Sequence, residues 1–356
     1  MLLLVLPCAF FLAGYILFAH YRIPRFRWKD RHSHLRVWEA YGPLLSRRGL
    51  ILYDTTEFDE APPPPRSPAL DPFDPRDDED FISRIYRREG DIFFTHHRTR
   101  PGDWGSLTPF VHLALDSRFR EVMIKAVPSG SQEERIIRHL SSTSLRRFSE
   151  NHTIPVMSIF RSHDATFVVQ AYWGTLEKTH SSEVPSMSFW AAIKLYQLLE
   201  GLVFMHQHGI AHGDIYPGNL TQNFQNARSP APCAFFHAWK NNPSYRIAYI
   251  DFEFAIRISD DTPRETFRCA VTGNGPPLGY RAPELDNKSS MYDPFAADVY
   301  SLGYLFLTHQ PPATIPGCYQ ALIEDMMKVI PAARPDARTA FERLKRLNED
   351  EKHRWV

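Results

Sequence analysis

Cysteine is scarce in this chain of 356 residues: Cys8, Cys233, Cys269 and Cys318 lie far apart and form no Cys-x-x-Cys pair. That spacing excludes a disulfide-stapled scaffold and a zinc ribbon, and it fits a reducing compartment. Net charge is also missing, because 41 Lys and Arg are balanced by 41 Asp and Glu. Overall charge therefore gives no reason to expect nucleic-acid binding. Apolar material is plentiful, at 43% hydrophobic and 13% aromatic residues. This is enough to bury one large core or two smaller ones, so a two-lobed body is expected.

Charge is absent locally from residues 1–19, "MLLLVLPCAFFLAGYILFA". At about 1.5 Å per residue such a helix crosses most of a bilayer core. A cleaved signal would show a basic start and a shorter apolar run, so the segment is read as an anchor ahead of a signal peptide or a buried helix. Arg22, Arg25, Arg27, Lys29, Arg31 and Arg36 follow, against Asp30 alone. This bias places the rest of the chain in the cytoplasm. The expectation is a membrane-anchored protein with a cytoplasmic body, and a wholly cytoplasmic one is the alternative. Residues 20–90 form a basic juxtamembrane segment that ends in the proline- and acid-rich linker 61–80, "APPPPRSPALDPFDPRDDED". Within it, "HLRVWEAYGPLLSRRGLILY" suggests a short helix and strand packed on the main body.

From residue 91 the pattern becomes short apolar runs, "DIFFTHH", "FVHLAL", "EVMIKAV" and later "ATFVVQAYWG", which predict antiparallel strands. Between them "SGSQEERIIRHL" predicts a helix, with Ser131 and Glu134 at capping-box spacing and Ile136, Ile137 and Leu140 on its apolar face. A longer buried helix is expected over "SFWAAIKLYQLLEGLVFMHQHGI", with Phe189, Ile193, Tyr196, Leu199 and Val203 facing inward. The chain after it reads as helices and long loops. The fold class is therefore α+β, with a strand-rich lobe over residues 91–174, a helical lobe over 175–350 and a cleft between them.

"HGDIYPGNL", residues 212–220, sets Asp214 five positions before Asn219, and Asp251 follows at the end of the apolar run "YRIAYI". Transfer of a phosphoryl group from ATP needs a carboxylate near the attacking hydroxyl, oxygen ligands for Mg²⁺ and a cation on the phosphates. Asp214, Asn219 and Asp251 match the first two needs, and Lys125 in "VMIKAV" matches the third. A lysine on such a strand wants an opposite charge, for which Glu133 and Glu134 are placed. His206, His208 and His212 are close in sequence, but no carboxylate or cysteine completes a metal site, and His212 is expected to pack under the catalytic loop.

Over about residues 91–347 the chain resembles the eukaryotic protein kinases, and as a whole its divergent fungal-type members. "GYRAPEL", "DVYSLG" and "PAARPDARTAFERL" carry the resemblance beyond the metal-binding positions. It implies that Asp214 orients the acceptor hydroxyl and takes its proton, that Asn219 and Asp251 hold Mg²⁺, and that Lys125 pairs with Glu133. It also implies that Val169 controls access behind the adenine pocket and that Gln170 and Ala171 form the hinge. A buried Glu284 to Arg334 ion pair and bonding of Asp298 to the catalytic loop complete the set. The implied cofactors are ATP and Mg²⁺. The implied partner is a protein substrate, with Ser or Thr ahead of Tyr as acceptor and the preference left open by Tyr216 and Pro277, and with no nucleic acid.

The chain departs from that pattern at several positions. No Gly-x-Gly-x-x-Gly precedes Lys125, and only Gly102 and Gly105 are available to bring amides onto phosphates. Tyr216 stands where a phosphate-contacting lysine is usual, Glu253 follows "DF" in place of glycine, and Gly213 replaces the arginine that reads a phosphorylated activation loop. Activity is therefore expected not to depend on phosphates at Thr262, Thr266 or Thr272. The 32-residue spacing from Asn219 to Asp251 predicts a surface insertion. Two alternatives stand beside the protein kinase reading. One is a catalytically silent pseudokinase acting as a binding module; the other is a small-molecule kinase of the aminoglycoside or choline type.

Overall fold

The computed structural model describes residues 35–52, 110–117, 120–175, 187–222, 246–259, 261–271, 275–287, 291–309 and 317–352. The expected anchor, the linker 61–80, the strand at 91–97, Gly102, Gly105, Thr272 and most of the insertion lie outside these residues. Among the described residues no helix is long and apolar enough to cross a membrane. The membrane-anchored placement and the N-terminal hydrophobic helix expected from the sequence are thus not supported.

The chain divides into two compact units. The first contains residues 35–52, the strands between 110 and 129, and the hairpin Phe160–Val169. Its helix α1 (Leu35–Arg47) places Trp38, Tyr41 and Leu45 on one buried face. Their spacing is that of one side of a 3.6-residue period. Tyr41 and Trp38 meet Phe167 edge-on at 4.9 and 5.9 Å between ring centroids. The sheet beneath is ordered β1 (Ile51–Leu52), β2 (Val111–Leu115), β3 (Glu121–Pro128), β5 (Ala165–Ala171), β4 (Val156–Ser162). Along β3, Val122, Ile124 and Ala126 are buried while Met123 and Lys125 are partly exposed, the two-residue alternation of a half-buried strand. Lys125 sits opposite Val111 in the antiparallel β2–β3 pair.

The second unit begins with α2 (Gln132–Leu140). Its first turn is capped as the sequence predicts, since the Glu134 amide donates to Ser131 Oγ at 3.1 Å. Glu134 reaches back to the Gly130 amide at 2.6 Å and also accepts from Arg138 Nε at 2.7 Å. Ile136, Ile137 and Leu140 are buried as expected.

Helix α3 (Met187–Gln207) is apolar around most of its circumference, so periodicity selects no face. The expected inward face is only partly correct. Of the expected residues Leu199 is buried, Ile193, Tyr196 and Val203 keep partial exposure, and the Phe189 side chain lies outside the described residues; Leu195, Leu198, Leu202 and Met205 are also buried. Packing selects the face, with Tyr249 donating to the Leu198 carbonyl at 2.7 Å and Tyr196 meeting Phe341 at 4.9 Å. Short strands β6 (Gly174–Thr175), β7 (Ile210–Ala211), β8 (Leu220–Gln222), β9 (Ile247–Tyr249) and β10 (Ile256–Arg257) follow. After β11 (Cys269–Ala270) and β12 (Met291–Tyr292) come α4 (Pro294–His309), α5 (Gly317–Met326) and α6 (Ala337–Lys352).

Candidate active site

Two strand pairs assemble the site in the second unit. β8 runs antiparallel to β9 with Leu220 opposite Tyr249, and the Ile250 amide donates to the Asn219 carbonyl at 3.0 Å. Asn219 and Asp251 are thereby brought to the same end of one hairpin. β7 pairs with β10, Ala211 opposite Ile256, which ties the entry of the 212–220 loop to the chain just beyond Asp251.

His212 fixes these segments to each other. Its ring is buried and lies 3.0 Å from the Ile250 carbonyl through Nε2. A carbonyl only accepts, so Nε2 carries the proton and Nδ1 is left to accept from the Asp214 amide at 3.3 Å. Asn219 then donates from Nδ2 to the Asp214 carbonyl at 2.9 Å and to Asp214 Oδ2 at 2.7 Å. One oxygen of Asp214 is thus occupied. The other, Oδ1, is buried and has no hydrogen-bond partner among the described residues.

That unpartnered oxygen decides what the site can do. Burial raises the Asp214 carboxyl to about 6, opposed by the Asn219 bond and reinforced by the negative charges of Asp251, Glu253 and Asp298. A carboxylate with that basicity and a free lone pair can accept a hydroxyl proton near neutral pH. Asp251 is held at φ 64, a left-handed conformation that a residue bearing a Cβ adopts at a penalty of about 1–3 kcal/mol and mainly at functional sites. Both amide hydrogens of Asn219 are used on Asp214, so its carbonyl oxygen remains as an acceptor. With the Asp251 carboxylate it gives hard oxygen donors suited to Mg²⁺, which takes one or two carboxylates and completes its shell with water and phosphate.

Asp298 on α4 holds the loop from behind. Its Oδ2 accepts from the His212 amide at 2.7 Å and its Oδ1 from the Gly213 amide at 2.9 Å. Gly213 has φ 75, and a Cβ there would lie 2.5 Å from the Phe254 carbonyl oxygen, so neither the backbone nor the space admits a side chain. Tyr216 lays its ring edge over Gly218, where a Cβ would approach ring atoms to 2.5 Å. The Arg334 guanidinium reaches Glu284 at 2.7 Å through both terminal nitrogens, and Ser301 Oγ donates to the Tyr280 carbonyl at 2.7 Å. Segment 275–287 is thereby fastened to the helical core.

Of the residues singled out in the sequence, Asp214, Asn219 and Asp251 come together here. Glu133, 7% exposed, lies on α2, whose neighbouring Gln132 Nε2 donates to the Ala255 carbonyl at 2.9 Å. Gln170 and Ala171 end β5 in this unit, and the Ala171 amide donates to the Pro155 carbonyl at 2.9 Å. Lys125 and the buried Val169 belong to the first unit. The three histidines each have separate partners: His206 faces Asp298, His208 the Phe204 carbonyl and His212 the Ile250 carbonyl. Arg264, which contacts His206, was not singled out by any pattern in its own segment.

A family model described as "Protein kinase domain" matches residues 110–315. The match covers more than half of the chain, and the chain belongs to the protein kinase domain family. It is 32% identical over 112 residues to "Cell division control protein 2 homolog 3" of Trypanosoma brucei brucei, covering 32% of this chain and 28% of that protein. It is 28% identical over 116 residues to "Probable serine/threonine-protein kinase KKQ8" of Candida glabrata, covering 32% and 12% respectively. The match to "Aurora kinase" of Yarrowia lipolytica is longer, 23% identical over 249 residues, 65% of this chain and 59% of that protein. In each case the chain spans less than two thirds of the relative's length.

Proposed function

We propose that this chain is an ATP-dependent protein kinase that transfers the γ-phosphate of MgATP to a protein hydroxyl, serine or threonine ahead of tyrosine. The observation that carries the proposal is the buried, unpartnered Oδ1 of Asp214, whose neighbouring oxygen is held by Asn219 at 2.7 Å. In this reading Asp214 receives the acceptor proton, and Asn219 and Asp251 hold Mg²⁺. Lys125 contacts the phosphates with Glu133 as its counter-charge, and Val169, Gln170 and Ala171 meet the adenine. The metal supplies charge neutralisation on the phosphate oxygens. A protein acceptor is favoured over a small alcohol because segment 275–287 is anchored through Glu284–Arg334 and Ser301–Tyr280, giving a fixed platform in the same unit as Asp214. The named serine/threonine kinase relative supports the hydroxyl class.

A second reading, a silent module that binds nucleotide or a partner, draws on Glu253, which adds negative charge around Asp214. One experiment separates the readings. The purified chain is given Mg²⁺ and γ-labelled ATP with a generic protein, a peptide library and amino-alcohols, alongside Asp214→Asn. Label on protein or peptide that disappears in the variant is the expected result. Nucleotide binding without transfer would establish the silent module, and label on amino-alcohols alone a small-molecule kinase.

A further inference from the structure

Arg264 opens a short helical turn, Arg264–Thr266, in the segment that leads from Asp251 to Glu284. Its guanidinium carbon stands 4.6 Å over the centroid of Phe295, and one terminal nitrogen lies 3.4 Å from His206 Nδ1. His206 itself is 2% exposed, meets Phe295 edge-on at 5.0 Å, and places Nε2 3.0 Å from Asp298 Oδ2. A carboxylate oxygen accepts, so Nε2 carries the proton. With the ring neutral, Nδ1 then presents a lone pair to Arg264. The same Asp298 oxygen accepts from the His212 amide, and its partner oxygen accepts from the Gly213 amide. A continuous chain of contacts therefore runs from Arg264 through His206 and Asp298 to the two residues before Asp214.

We infer that Arg264 is a positioning residue that fastens the 261–271 segment to the catalytic loop through His206 and Asp298, and that it does so without phosphate. A cation at Nδ1 polarises the imidazole and strengthens its Nε2–H bond to Asp298, as linked hydrogen bonds do in a low-dielectric interior. Position 213 cannot supply such a cation from the catalytic loop, because its backbone and surroundings admit only glycine. The threonine hydroxyls two positions either side of Arg264 have local partners: Thr262 Oγ1 lies 2.7 Å from Ser259 Oγ, and Thr266 Oγ1 donates to the Pro263 carbonyl at 3.2 Å. Arg268 turns to the carbonyls of Glu265 and Phe267 and to Asp293. The fastening thus passes through Arg264.

The inference concerns the site proposed above for phosphoryl transfer, and its test does not require that activity. Amide hydrogen exchange is measured on the full chain over 261–271 and over 212–220, for the wild type, Arg264→Ala, Arg264→Gln, His206→Gln and Thr262→Ala/Thr266→Ala. Removal of the guanidinium is expected to speed exchange in both segments by about tenfold, the signature of a lost local restraint, while β8, β9 and α6 stay protected. His206→Gln, which keeps one donor and one acceptor between Asp298 and Arg264, is expected to stay nearer to the wild type than either Arg264 variant. The double threonine variant is expected to match the wild type. Where transfer is measurable, Arg264→Ala should lower kcat and leave the KM for ATP unchanged. Exchange within about twofold of the wild type in both Arg264 variants would overturn the inference. Loss of protection across the whole unit would also overturn it, by making Arg264 a general structural residue. A wild type that transfers no phosphate would remove the kinase proposal while leaving the exchange result intact.

Discussion

At the scale of single residues, Asp214 sets stability against the role proposed for it. Its ordinary value is 3.8 and the fold raises it to about 6, so the folded chain holds that proton more tightly than the unfolded chain does. The stability contributed by this proton is complete below pH 4 and is lost as pH rises through about 6, by roughly 3 kcal/mol at about 1.4 kcal/mol per pH unit. In thermal unfolding without Mg²⁺, Asp214→Asn should therefore outlast the wild type at pH 8, with the advantage gone at pH 4. The same variant should lose about 10²- to 10⁴-fold in kcat, while the wild-type rate climbs with pH through about 6 to a plateau. Equal unfolding temperatures at pH 8 would show that the buried carboxylate is not strained. At Gly213, replacement by Ala combines a left-handed backbone with a Cβ 2.5 Å from the Phe254 oxygen. Urea unfolding should show a loss of about 1–3 kcal/mol. The grouping of Asp214, Asn219 and Asp251 could be expected from the sequence because the chemistry proposed for them fixes residue type and order along the chain. Arg264 was not, since its partner His206 lies 58 positions away and nothing local to it signals the contact.

At the scale of elements, the ion pair closing segment 275–287 is a fully bonded joint. Arg334 uses all its donors: Nε on the Lys328 carbonyl, the terminal nitrogens on Glu284, and their remaining hydrogens on the carbonyls of Ala296 and Val329. Its side chain is fully buried. An ammonium cannot reproduce that fork, so Arg334→Lys should cost about 3–5 kcal/mol in a denaturant titration. A loss below 1 kcal/mol would reduce the joint to an ordinary surface pair. Legibility differs sharply between two helices. The start of α2 could be read because Ser131 and Glu134 satisfy adjacent backbone amides, a purely local matter. The buried face of α3 could not be read, because an all-round apolar helix leaves the choice to Tyr249 and Phe341, which arrive from distant parts of the chain.

At the scale of the molecule, the first unit depends on residues far upstream of the strands that define it. Trp38, Tyr41, Leu45 and Leu50 are all at most 5% exposed, and β1 covers the edge of β2. Each large apolar side chain contributes about 1.5–3 kcal/mol on burial, and their sum rivals the 5–15 kcal/mol that holds a typical domain together. A chain begun at residue 91 is expected to be insoluble or to show unprotected β2 and β3 amides in hydrogen exchange, whereas one begun at residue 34 should be protected there. Equal protection in the two would make α1 dispensable. The strand-then-helix order of the chain could be read from hydrophobic periodicity. That α1 and β1 join the sheet was only suggested by the pattern, because two residues make a strand too short to be recognised by alternation.

Tyr216 leaning on the bare backbone of Gly218 makes the two positions a single engineering problem. An ammonium can be installed at 216 without touching its neighbour, because glycine tolerates whatever replaces the phenol. The reverse order fails: a methyl group added first at 218 would meet the Tyr216 ring at 2.5 Å and displace it. Any attempt to place lysine at 216 therefore has a required order of steps, and alanine at 218 belongs at its end.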